Sequence, residues 1–172
     1  MKERVMDSDY LVVVADGTCA RFFTLDAAAQ PSLESGPHLT EHDDLVNAEH
    51  KQGGGDKYST TRTGLNLNPR GGPSHGYDDH RAQHEQEHER RFAVDVAARA
   101  VSLAQKHQAA HLILAAERHM LGLLRDALKI PVKSGIEVRE LAKDLTKMTP
   151  AQVHDHLAAA GVVPERHGPK PG

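Results

Sequence analysis

The sequence predicts an α/β fold, a mixed β-sheet flanked by helices, with a long Gly-rich loop placed before a long helix. Four observations carry this. Leu112-Ile113-Leu114-Ala115-Ala116 is a continuous apolar run, the pattern of a strand buried on both faces. After a polar break at Glu117-Arg118-His119, Met120, Leu121, Leu124 and Leu128 share one helix face, so strand, tight turn and helix make half of a βαβ unit. Near the start, YLVVVA at 10–15 is β-branched and apolar, and Asp16-Gly17 behind it is a hairpin signal. Between these strands, Phe92, Val96, Ala100 and Leu103 form a stripe at helical spacing, widened by Ala93, Ala97 and Ala104.

Composition sets the outer bounds. A chain of 172 residues favours one domain, and the reading is a single α/β domain over 1–163 with a disordered tail at 164–172. Aromatic residues make up 3% of the chain and Trp is absent, so the core is built from Val, Leu, Ile and Ala. A net charge of −3 argues against a protein that coats nucleic acid over its whole surface, while leaving room for a local basic patch. The one cysteine, Cys19, cannot form an internal disulfide and fits a reducing compartment. No apolar run reaches the length of a membrane helix, and MKERVMDSDY has no signal-peptide core. The expected location is the cytoplasm, with no membrane partner.

In chain order, residues 20–25 return antiparallel to the first strand, and residues 32–39 read as a third, weaker strand before an acidic bend. Periodicity then fails over 42–77, where Gly53-Gly54-Gly55, Gly64, Pro69, Gly71-Gly72-Pro73 and Gly76 break any regular element. A loop of that length is expected to be either functional or disordered. It is locally basic, with four Lys/Arg against one Asp between Lys51 and Gly76. Residues 78–105 follow as a long helix capped by Asp78 or Asp79. Its first half, HRAQHEQEHERR, is polar on every side and is expected to project beyond the core or fray. Residues 135–141 alternate as a last strand. Thr149-Pro150 is an N-cap and N1 pair for a final helix over 151–160, with Val153 and Leu157 inward and Gly161 as its stop.

The basic loop is the strongest candidate site. Lys51, Lys57, Arg62 and Arg70 can neutralise an RNA backbone, Tyr58 can stack on a base, and Gln52-Gly53-Gly54-Gly55 offers backbone N–H groups to a phosphate. A flexible polar insertion explains the same composition. Neither G-x-x-x-x-G-K-[ST] nor G-x-G-x-x-G is present, so nothing points to a nucleotide cofactor. G-x-S-x-G is also absent, and Cys19 reads as a small packing residue. Glu117, Arg118 and His119 stand where α/β sheets place ligands, although a solvated turn fits them too. His80, His84 and His88 share a helix face, but His80 and His88 lie about 12 Å apart along the axis. A metal there needs a further ligand such as Glu85, His75 or a partner chain, and no metal site is assigned.

Residues 11–25 (LVVVADGTCARFFTL), 89–97 (ERRFAVDVA), 112–128 (LILAAERHMLGLLRDAL) and 138–157, with KDLT before a TP-started helix, come in the order of a known family. Together they resemble the bacterial host attachment proteins, also called proteins required for attachment to host cells. That family is grouped with relatives of the archaeo-eukaryotic peptide-release factors. The resemblance implies the fold of those factors' middle domain, whose glycine loop carries GGQ and faces peptidyl-tRNA on the ribosome. Here the loop has QGGGD at 52–56 and GGP at 71–73, and no Gln follows a Gly pair. Pelota shares the middle domain, lacks GGQ and acts in ribosome rescue without hydrolysis. The resemblance thus implies a translation-associated protein that binds a ribosome or structured RNA (tRNA or rRNA) alone or as a homo-oligomer. Two rivals stand beside it. One is a peptidyl-tRNA or other ester hydrolase using Gln52 or the Glu117/His119 group. The other is an interaction protein that affects attachment to host cells.

Overall fold

The computed structural model describes residues 8–48, 75–128 and 135–169. In chain order these form β1 (Tyr10–Ala15), β2 (Cys19–Asp26), β3 (His38–Val46), α1 (His75–Lys106), β4 (His111–Ala116), α2 (Arg118–Leu128), β5 (Glu137–Ala142) and α3 (Pro150–Ala159). One five-stranded mixed sheet runs β3-β2-β1-β4-β5. The β1–β2 and β2–β3 pairs are antiparallel, and β1–β4 and β4–β5 are parallel. The expected α/β class is what the structure has.

Alternation along the two central strands divides the core between the sheet's faces. Leu11, Val13 and Ala15 of β1 and Leu112, Leu114 and Ala116 of β4 meet one apolar layer. Phe92, Val96, Ala100 and Leu103 of α1 and Met120, Leu121, Leu124 and Leu128 of α2 complete that layer. Val12, Val14, Ile113 and Ala115 face the other way and pack with Val153 and Leu157 of α3 and with Leu145. Helices therefore cover both faces, which explains why β1 and β4 read as unbroken apolar runs. The α3 start is as expected: Thr149 caps Gln152 N–H in a capping box, and Gly161 takes φ +74° at the exit.

Two expectations are corrected. The third strand lies at His38–Val46, not at 32–39, so the first five residues assigned to the 42–77 loop belong to β3. Residues 30–34 form a turn closed by Leu33 and Glu34 N–H on the Gln30 carbonyl. The cause is a bulge. Phe22 pairs with Asp43 and Phe23 with Glu41, which leaves His42 as the extra residue. Before the bulge Leu39 joins the α3-side core, and after it Leu45 faces the α1 side. One inserted residue swaps the faces of a strand and so erases its alternation in sequence.

The second correction concerns the tail. His154, 1% exposed, donates its Nε2–H to the Pro164 carbonyl at 2.8 Å. His167 exchanges both backbone bonds with Gly36. Residues 164–168 are thus tied to the body, because a buried imidazole on α3 supplies the anchor that Pro164 needs.

Candidate functional site

The strand ends bring the candidate chemistry together. β1, β4 and β5 are parallel, so Asp16, Glu117 and Lys143 follow their C-terminal ends along one edge of the sheet. In open α/β sheets this is the edge where ligands bind.

Two Asp-x-Thr turns build the edge. Asp16 Oδ1 accepts from Thr18 N–H (2.7 Å), the Thr18 hydroxyl (2.8 Å) and Cys19 N–H (2.8 Å). Asp144 Oδ1 accepts from Thr146 N–H (2.9 Å) and the Thr146 hydroxyl (2.6 Å) in the same way. Such short polar side chains fold back on their own backbone two residues on. The Thr146 hydroxyl also lies 3.1 Å from Asp16 Oδ2, so one hydrogen is shared between two carboxylates and joins the turns after β1 and β5. Burial opposes charge on Asp16, but the hydrogen bonds from Thr18, Cys19 and Thr146 outweigh it and hold the carboxyl below the ordinary aspartate value. Beside it, burial and the Asp16 charge push the Cys19 thiol up, which makes it a poor nucleophile at neutral pH. Arg21 fastens the same region, with Nη1 on the Thr146 and Met148 carbonyls and Nε and Nη2 bidentate on Glu41.

Of the strand-end group after β4, Glu117, Arg118 and His119 are all exposed. His119 Nε2 sits 3.0 Å from Glu89 Oε2 of α1. Glu89 in turn lies over the β1–β2 turn, where its Oε1 would be 3.3 Å from a Cβ placed on Gly17. Glycine at 17 lets α1 close onto the turn. The result is an imidazole oriented by a carboxylate, the arrangement of a general base, in an exposed position.

The basic candidates Lys51, Gln52, Gly53, Gly54, Gly55, Lys57, Tyr58, Arg62 and Arg70 lie outside the described residues. Asn47 and Ala48, the last described residues before them, follow the end of β3 on this edge. Asn47, just after β3, is 7% exposed and donates N–H to the Thr18 carbonyl (2.8 Å) and Nδ2–H to the Gly17 carbonyl (3.1 Å). From there an open groove runs between 45–48 and His88, Phe92 and Asp95 of α1, with Val46 and Val94 half-exposed along it.

Sequence reasoning found His119 and missed its partner Glu89, the anchor Asn47, and the pairing of the two Asp-x-Thr turns. The repeated D-x-T at 16–18 and 144–146 is the one signal that pointed to the last. His80 and His84 are exposed on α1, His88 is half-buried, and the rings of His84 and His88 lie in edge contact. No helix among the described residues is long and apolar enough to cross a membrane.

No curated protein matches the chain. The family model described as "protein required for attachment to host cells" matches residues 11–157, from β1 through all five strands into α3, and the chain belongs to that family.

Proposed function

We propose that the protein is an RNA-binding component of the translation apparatus, that the Gly-rich basic segment holding Lys51, Lys57, Arg62 and Arg70 is its contact element, and that the sheet is the mount. The observation that supports this reading is the anchoring of Asn47, just upstream of the segment. Asn47, upstream of the segment in the chain, is bonded to the β1–β2 turn, on the edge where α/β sheets present ligands. The resemblance to a release-factor middle domain without GGQ favours binding over hydrolysis. Attachment to host cells, the phenotype in the family's description, is then a downstream effect.

The test is co-sedimentation of the purified chain with ribosomes across a salt series. Neutralising phosphates releases counterions, at a slope of about −0.7 to −0.9 in log K against log salt per contact. Replacing Lys51, Lys57, Arg62 and Arg70 together by Ala should weaken binding and flatten the slope by about 3. Unchanged binding contradicts the reading. Peptidyl-tRNA turnover by the wild-type chain, lost in His119→Asn, would replace it with the ester-hydrolase reading that the His119–Glu89 pair favours.

A further inference from the structure

The exposed half of α1 carries imidazoles at four-residue spacing, and the structure puts two of them in contact. The ring centres of His84 and His88 are 6.2 Å apart with 61° between the planes. On a helix, i and i+4 side chains stand one above the other. Two imidazoles on one tetrahedral ion, each bonded at about 2.0–2.1 Å, hold their ring centres about 5 Å apart. The two rings need to close by about 1 Å to reach one ion, a shift within the reach of side-chain rotation.

We propose that His84 and His88 form a two-imidazole chelate for a divalent late-transition metal ion, Zn²⁺ or Ni²⁺, on the surface of α1. Imidazole donors select these ions over Mg²⁺ and Ca²⁺, which prefer oxygen. The neighbouring carboxylates are directed at cations: Glu85 at Arg81 (3.7 Å), Glu87 at Arg90 (2.7 Å) and Arg91 (3.3 Å), and Glu89 at His119 (3.0 Å). Among the described residues no group of three His, Cys, Asp or Glu converges on one point. Water fills the remaining positions, so the ion exchanges readily and differs from a closed four-ligand structural site. The ligand is neutral imidazole, so acid competes with the metal and weakens binding. Bound metal ties successive turns in the part of α1 that the core does not hold.

The experiment is calorimetric titration of the full chain with ZnCl₂, paired with amide exchange over residues 80–90. Zn²⁺ should bind the wild type and slow exchange there, and Mg²⁺ should do neither. The double variant His84→Gln, His88→Gln should lose affinity roughly tenfold or more, together with the exchange protection. His80→Gln should retain both. Gln suits an exposed helix, and an unchanged melting midpoint shows that the double variant is folded. Equal Zn²⁺ affinity in the double variant would place the metal elsewhere among the 13 histidines and overturn the proposal. A loss in His80→Gln as large as in the double variant would overturn the assignment of the pair.

Discussion

From Phe92 onward α1 buries Phe92, Ala93, Val96, Ala97, Ala100, Leu103 and Ala104 against the sheet, whereas from Asp79 to Gln86 every residue is exposed. One continuous helix of 32 residues, about 48 Å at 1.5 Å per residue, thus has two kinds of support. The packed half is fixed by apolar burial. The other half is held by side-chain pairs such as Arg81–Glu85 and the Glu87–Arg90–Arg91 cluster. Exposed pairs of this kind are weak and salt-sensitive. Helical geometry alone therefore does not say what a stretch contributes to stability. Here the core ends near Phe92, and what lies before it is free to serve recognition.

The largest effect is expected where the two halves of α1 meet. Phe92 is 5% exposed and sits within the α1-side core. Phe92→Ala should destabilise the protein by about 3–5 kcal/mol, read as a lower urea midpoint at unchanged slope. A midpoint within error of wild type would mean that the sheet does not depend on α1.

A smaller effect separates the two halves by pH. His107, 8% exposed, follows the packed half of α1, with its ring 4.8 Å from that of His42, the bulged residue of β3, and its buried Nε2 lacks a hydrogen-bond partner among the described residues. His42 is itself tied to the Thr24 hydroxyl, which bonds Asp26. Burial lowers the His107 pKa below 6.5, His42 and Lys106 add to this, and Asp26 opposes it. Nearby, Arg99 of α1 pairs with Asp43 of β3. Below about pH 6.5 the unfolded chain takes up the proton more readily than the native state, so stability should fall as pH drops from there toward the lowered native value. His107→Gln should flatten that decline in a melting series, and a decline as steep as wild type would contradict the assignment. In the exposed half, the hydrogen bond from Arg90, with Arg91 adding to it, holds Glu87 down to about 2. Its contribution therefore persists to acid and is lost only as pH falls from about 4.5 toward 2.

What the sequence shows and hides follows from the range of the interactions. β1, β4 and the stripe of α1 were legible because burial on a face leaves a local period, and Thr149-Pro150 because a cap is local. β3 was not legible, since the extra residue at His42 exchanges the faces of an acidic edge strand. The anchored tail depends on one buried imidazole meeting the Pro164 carbonyl. The joining of Asp16 to Thr146 spans 130 residues of chain, and Glu89 reaches His119 only because α1 passes over the turn at Gly17. The basic segment was visible as composition alone, which gives its charge and leaves its geometry unspecified.

The measurement that bears most directly on the central claim is ribosome co-sedimentation of a chain in which residues 51–74 are replaced by a Gly-Ser linker of equal length. Circular dichroism and the melting midpoint, set beside wild type, report whether the replaced chain keeps its fold. Binding should be lost at every salt concentration while the fold is retained. Salt-dependent binding that survives the replacement would contradict the claim and move the contact onto the sheet edge itself.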